Sequence, residues 1–195
     1  MKLVLASASP RRADLLRAAG FSFEILPVQL DERFKTGEKP EKAVTRLAEA
    51  KASAAAALRP GAIVLGADTM VVVRGQPLGK PAGHGDAKRM LRLLSGRSHE
   101  VLTGMCLWSN GRRLVHVESS RVRVCKLTEA EIDWYVASGE PADKAGAYAV
   151  QGLASRFIVG IEGSYSNVVG LPISCVYNLL KELGCDILRV QRTYD

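Results

Sequence analysis

Three short stretches gather residue types that handle phosphate. The first is Ala6-Ser7-Ala8-Ser9-Pro10-Arg11-Arg12. Ser9 suits an N-cap and Pro10 the first helical position. A helix starting there presents free backbone N–H groups and the positive end of its dipole. Two hydroxyls and two guanidinium forks, which match phosphate oxygens, stand beside it. The same residues also read as an ordinary Ser-Pro cap with solvated arginines. The second stretch is Gly66-Ala67-Asp68-Thr69. An aspartate directly after a buried strand falls at the carboxyl edge of a sheet, where open α/β folds bind ligands. Its carboxylate can hold a divalent cation or activate water, or it can close an Asx turn between two strands. The third is Gly79-Lys80-Pro81. It is not a Walker A loop, because three residues separate Gly75 from Gly79 and Pro81 stands where a magnesium-binding Ser or Thr belongs. Lys80 is a candidate phosphate ligand or a solvated loop lysine.

Two further candidates are single charges in telling places. Lys51 falls on the apolar face of an alanine-rich segment, either snorkelling to solvent or pointing into a cleft. Asp31-Glu32 supplies two loop carboxylates. Other chemistries find no support. Gly83-His84-Gly85 lacks a Rossmann context, and Gly163-Ser164-Tyr165-Ser166-Asn167 lacks the second glycine of a nucleophile elbow. Cys106, Cys125, Cys175 and Cys185 are 19, 50 and 10 residues apart, matching no zinc or C-x-x-C spacing. With His84, His99 and His116 scattered as well, buried or idle thiols in a reducing cytosol are expected.

The elements that must position these residues follow from periodicity and breakers. Lys2 to Ala6 reads as a short buried strand. A helix follows from Pro10, with Leu15, Leu16 and Ala19 inward and Gly20 as its stop. Phe21 to Val28 is extended, Asp31 to Lys39 a polar loop, and Pro40 to Leu58 a long helix with Val44, Leu47, Ala48 and Lys51 on one face. Ala62 to Leu65 is a second buried strand, Met70 to Val73 a further extended run, and Gly75-Gln76 a turn. Asp86 to Leu94 is helical, with Met90, Leu91 and Leu94 inward. Asn110-Gly111 marks a hairpin between Val101–Trp108 and Leu114–Val124. Thr128-Glu129-Ala130-Glu131 is a capping box opening a helix with Ile132, Tyr135 and Val136 inward. Phe157 to Ile161 is a strand, Pro172 to Leu183 a helix, and Ile187 to Val190 a last strand. This alternation predicts an α/β fold with a mixed sheet. Composition shows no linker, so the 195 residues are treated as one domain, with a second lobe sketched over Ala82 to Gln151.

Composition bounds the function. Hydrophobic residues make up 47% and charged residues 24%, which excludes disorder as a class. The longest apolar runs are far too short to span a membrane, and the N-terminus does not read as a signal peptide. The net charge of +7 favours polyanionic partners such as nucleotides or nucleic acid. With basic residues scattered and aromatics at 6%, no stacking platform for nucleic acid is evident.

Taken together the motifs resemble the Maf family of nucleoside triphosphate pyrophosphatases. The resemblance runs nearly end to end. It is carried by Leu5 to Arg12, Arg46-Leu47-Ala48 with Lys51-Ala52, Gly66 to Thr69, and Gly79-Lys80-Pro81. It continues through Leu94 to His99, Asp143 to Tyr148, Gln151-Gly152, Gly163-Ser164-Tyr165 and Gly170-Leu171-Pro172. It implies an elongated, ITPase-like mixed sheet flanked by helices, with a central substrate cleft between two lobes, and commonly a homodimer. It implies hydrolysis of a nucleoside triphosphate to the monophosphate and pyrophosphate with Mg²⁺ or Mn²⁺. Asp68 is then the catalytic acid/base, Ser7, Ser9, Arg12, Lys51 and Lys80 bind phosphate, and Glu32 joins Asp68 at the metal. Arg11, Thr69 and Gln151 match the branch resembling dTTP/UTP pyrophosphatases, and the 7-methyl-GTP branch carries Trp, Gln and Glu there. A cytoplasmic, house-cleaning role on nucleotide pools, with a link to arrest of cell division, is the corresponding expectation. The competing readings are a pyrophosphatase for modified or non-canonical purine triphosphates and a basic nucleic-acid-binding regulator.

Overall fold

Breakers and caps in the sequence set most element boundaries of the computed structural model, which describes residues 2–185. The strands are β1 (Leu3–Leu5), β2 (Phe23–Ile25), β3 (Ile63–Val73), β4 (Gln76–Leu78), β5 (Ser98–Ser109), β6 (Arg112–Val124) and β7 (Ile158–Glu162). The helices are α1 (Pro10–Ala18), α2 (Pro40–Leu58), α3 (His84–Leu94), α4 (Glu129–Ala137), α5 (Tyr165–Val169) and α6 (Ile173–Glu182). Three short 3-10 turns lie between α4 and β7. The expected strand at Ile187 to Val190 lies outside the described residues.

The strands form one mixed sheet in the order β2-β1-β3-β5-β6-β7, with β4 beside β3. Leu3 of β1 is flanked in parallel register by Phe23 and Ile63, whereas β4 and β7 run antiparallel to β3 and β6. Both tight hairpins use two residues with positive φ, Arg74-Gly75 and Asn110-Gly111. Such pairs give a turn whose twist suits the flanking strands. Two compact units share the chain. The first comprises 2–68, Thr103–Glu118 and 170–185, and the second Thr69–Leu102 and Ser119–Val169.

In the first unit β1 and the early part of β3 are buried on both faces, which is why their sequences are apolar without alternation. Leu3, Leu5, Ile63 and Leu65 pack with Leu16 of α1 and with Val176 and Leu179 of α6. Val4, Ala6 and Val64 pack with Ala48, Ala52 and Ala55 of α2. The alanines of α2 have a packing purpose. A Cβ on Gly66 would stand 2.2 Å from the Ala48 carbonyl oxygen and 2.6 Å from the Ala52 nitrogen. One on Gly104 would stand 2.4 Å from the Val44 oxygen. The helix backbone therefore rests almost directly on the strands.

In the second unit α3 buries Ala87, Met90, Leu91 and Leu94 and packs on α4, which buries Ile132, Tyr135 and Val136. The capping box forms as expected, with Glu131 N–H donating to Thr128 Oγ1 and Thr128 N–H donating to Glu131 Oε2. No helix of the described residues is long and apolar enough to cross a membrane.

Several expectations are corrected. Ala62–Leu65 and Met70–Val73 are not separate runs but one strand that passes through Asp68. Gly and Asp ordinarily interrupt strands, but Gly66 is needed here to let the strand slide beneath α2. The first β3 turn sits at Arg74-Gly75, and Gln76 already belongs to β4. Helix α1 buries Arg12, Ala13 and Leu16 rather than Ala19, and Ser9 caps it without a side-chain hydrogen bond. Helix α5 was not expected, because five residues carry too little periodicity to read.

Candidate active site

The carboxyl side of β1, the start of α1, helix α2 and the centre of β3 converge in the first unit on a chain of charged groups. Lys51, on the fourth turn of α2, is 6% exposed although it carries an ammonium. A buried charge is tolerated only when paired. Its Nζ donates to Asp68 Oδ1 at 2.7 Å and contacts Glu32 Oε1 at 2.6 Å. Thus the lysine neither snorkels nor floats: it is shared by two carboxylates, one half-buried in β3 and one exposed on the loop before α2.

Arg12 is equally buried, at 8% exposure. Its Nη1 donates to Ser7 Oγ at 3.0 Å and to the Ala67 carbonyl at 2.9 Å, and its Nε donates to the Gly170 carbonyl at 2.9 Å. The guanidinium thus ties the β1–α1 turn to the backbone of β3 one residue before Asp68. Burial lowers the Arg12 pKa most strongly, the Asp68 and Glu32 carboxylates pull it back up, and neighbouring Arg11 lowers it again. Arginine stays charged throughout. Ser7 Oγ also accepts from the Ser9 N–H at 3.2 Å, which fixes the turn. Ser9 and Arg11 are half-buried at the start of α1.

Ser7, Ser9, Arg11, Arg12, Glu32, Lys51 and Asp68 all belong to the first unit, and ion pairs and hydrogen bonds run from Ser7 through Arg12 to the Ala67 carbonyl and, from the adjacent Asp68 carboxylate, through Lys51 to Glu32. Thr69, Lys80 and Gln151 belong to the second. Thr69 follows Asp68 in β3 and is half-buried, whereas Lys80, just beyond β4, and Gln151 are exposed.

Two positioning features were not legible in the sequence. The loop carrying Glu32 is held on α2 by Glu38, whose carboxylate receives Arg46 Nε and Nη2 at 2.7 Å each. Arg46 also donates to the Arg33 carbonyl at 3.3 Å. The Arg46 guanidinium holds the Glu38 carboxyl down to about 2, well below the usual range. The neighbouring Asp31 is occupied by Arg33, so only Glu32 of the two loop carboxylates turns to Lys51. Arg46 sits in a motif that the resemblance quotes, which was the available signal. Its partner lies eight residues away and could not be chosen among the loop acids. In the second unit, Glu140 clamps the turn after Gln151. It accepts from Tyr135 Oη at 2.7 Å and from Leu153 N–H at 2.9 Å. A Cβ on Gly152 would stand 2.1 Å from its Oε2.

Asp68 and Glu32 offer hard oxygen donors on a common ammonium. That set suits Mg²⁺ or Mn²⁺, which bind through one or two carboxylates, waters and substrate phosphates. The arrangement can hold anionic oxygen atoms beside a carboxylate able to take a proton.

The family model described as "Maf-like protein" matches residues 2–183. A dTTP/UTP pyrophosphatase of Koribacter versatilis is 50% identical over 184 residues, covering 94% of this chain and 95% of its own. One of Syntrophus aciditrophicus is 52% identical over 185 residues, covering 94% and 90%. Among solved structures, the Staphylococcus aureus Ham1 protein aligns with a TM-score of 0.52 at 14% identity, covering 94% of this chain and 100% of that one. That last likeness speaks to the mixed α/β fold alone. With its family model matched from β1 to the end of α6 and its relatives half identical over nearly their whole length, the chain belongs to the Maf-like protein family.

Proposed function

We propose that this chain hydrolyses dTTP and UTP to the nucleoside monophosphate and pyrophosphate, a house-cleaning activity on nucleotide pools. The observation that carries the reading is the buried Lys51 ammonium shared by Asp68 and Glu32, beside the Arg12–Ser7 brace, in a chain half identical to enzymes bearing that name. A triphosphate repels a water nucleophile, so cations must neutralise its oxygens and orient the leaving pyrophosphate. Lys51 and Lys80, with Ser7, Ser9 and Arg12, supply phosphate contacts. Arg12 also anchors the turn that presents the two serines. Asp68 takes the proton of the attacking water.

Asp68 and Glu32 would hold a Mg²⁺ or Mn²⁺ ion, which when bound polarises phosphate oxygens and lowers the pKa of coordinated water. Arg11, Thr69 and Gln151 select the base, with Thr69 and Gln151 offering hydroxyl and amide groups to a pyrimidine edge. The reading includes a homodimer in the cytoplasm, and light scattering of the purified protein tests its size. The central test is a panel of natural and modified triphosphates with Mg²⁺, read as pyrophosphate release. dTTP and UTP are expected to be turned over best. Purine triphosphates as best substrates would overturn the base assignment, and release of orthophosphate instead would overturn the reaction.

A further inference from the structure

A second set of metal-ligating side chains lies elsewhere in the first unit and takes no part in the chemistry above. His116 and Glu118 are two residues apart on β6, so they project from one face of the strand. Leu114, on that same face, and Ile173 and Cys175, of the first turn of α6, all pack against one apolar cluster. The core thereby brings the Cys175 thiol to the strand. Glu118 Oε2 lies 3.3 Å from His116 Nε2 and accepts from Cys175 Sγ at 3.3 Å, and the three ligand atoms all fall within 4.8 Å of one another.

We propose that His116, Glu118 and Cys175 form a Zn²⁺ site that fastens α6 to β6. The donor set carries the choice of ion. A thiolate, an imidazole and a carboxylate are the three side-chain donors zinc uses, and thiolate selects against Mg²⁺ and Mn²⁺. The geometry carries the coordination. Zinc bonds of roughly 2.0–2.3 Å in a tetrahedron set neighbouring donors roughly 3.3–3.7 Å apart. Both distances from the Glu118 oxygen already sit at that edge, and the histidine–cysteine separation is at most 4.8 Å. His116 is exposed on its strand, with 43% of its side chain accessible, so an ion can enter from solvent and keep a water as fourth ligand. On binding, the Zn–S bond forms as the Cys175 S–H bond breaks. The proton leaves to solvent, no electron is transferred, and the carboxylate and the neutral imidazole bind without further proton loss.

The test uses tag-free, metal-stripped, reduced protein titrated with Co²⁺, whose thiolate complexes show a near-ultraviolet charge-transfer band, followed by displacement with Zn²⁺. One equivalent per chain is expected to give the band and Zn²⁺ to abolish it. Zn²⁺ is also expected to raise the unfolding temperature of the wild-type protein. Cys175→Ser removes the band. His116→Ala, a surface change that leaves the core intact, weakens binding by at least about tenfold, with the metal-free unfolding temperature unchanged. Absence of the band in the wild-type protein, or full retention in Cys175→Ser, overturns the proposal. So does a thermal shift of equal size in His116→Ala.

Discussion

At the scale of single residues, the decisive feature is that positive charge is buried here and yet fully engaged. Lys51 could be read from the sequence as an anomaly on an apolar helix face, but not as the bridge between Glu32 and Asp68, which are 19 and 17 positions away. Only packing of α2 on β3 makes them neighbours. The two lysines assigned to phosphate differ in consequence. Lys51 is committed to internal ion pairs, whereas Lys80 is exposed and its removal disturbs no core. Lys80→Ala is therefore expected to fold normally and to lose about 10- to 100-fold in kcat/KM, the range of a hydrogen bond to a charged group. Steady-state kinetics with dTTP checks this, and unchanged kinetics removes Lys80 from the site. Arg12, by contrast, is expected to be a poor target for separating roles. Its acceptors include two backbone carbonyls and the Ser7 hydroxyl, so Arg12→Ala leaves buried oxygens unsatisfied and lowers stability together with activity.

At the scale of elements, most of the chain was legible because caps, turns and periodicity have local causes. The ends of α2, the hairpin at Asn110-Gly111 and the capping box at Thr128 all fall where their residues demand. The failures have a common physical origin. Strand β3 continues through Gly66 and Asp68 only because α2 lies against it, and no local signal conveys what covers a strand. The close approach predicts a large effect from one methyl group. Gly66→Ala forces a Cβ into the Ala48 carbonyl and Ala52 nitrogen, both backbone atoms that cannot swing aside. A loss of about 3 kcal/mol is expected, seen as a fall of roughly 6–12 °C in unfolding temperature. A change of less than a degree or two would mean that α2 does not rest on β3 as described. Since the same contact sets Lys51 against Asp68, surviving Gly66→Ala protein is expected to lose activity as well.

At the scale of the whole molecule, stability is expected to depend on a buried histidine outside the candidate site. His99 is 3% exposed, and burial lowers its pKa to about 4. Its Nε2 lies 2.8 Å from Tyr148 Oη, and among the described residues nothing accepts a hydrogen bond from Nδ1. Protonation would place a charge and an unanswered donor in the core. The unfolded chain binds this proton near pH 6.5 and the folded protein only near 4, so the contribution is complete above pH 6.5 and is lost as the pH falls towards 4. The expected loss between pH 7.5 and pH 5 is about 2 kcal/mol. Denaturant unfolding at the two pH values measures it, and His99→Gln, which takes up no proton there, is expected to abolish most of the difference. Equal slopes in the two proteins would contradict the assignment. The sequence indicated the basic net charge of +7 and the α/β class. It suggested a second lobe over Ala82 to Gln151 but not the observed bounds, Thr69–Leu102 and Ser119–Val169, because the unit to which each part of β3, β5 and β6 belongs depends on contacts remote along the chain.

Asp68→Asn tests the account most directly, because it keeps the shape of a half-buried side chain and removes only the carboxylate that Lys51 and the reacting water are held to share. Pyrophosphate release from dTTP with Mg²⁺ is expected to fall at least about 100-fold, while the variant still folds, somewhat less stably because Lys51 keeps only the exposed Glu32 as a charged partner, and still binds nucleotide. Turnover at the wild-type rate in Asp68→Asn would contradict the central role given to this carboxylate.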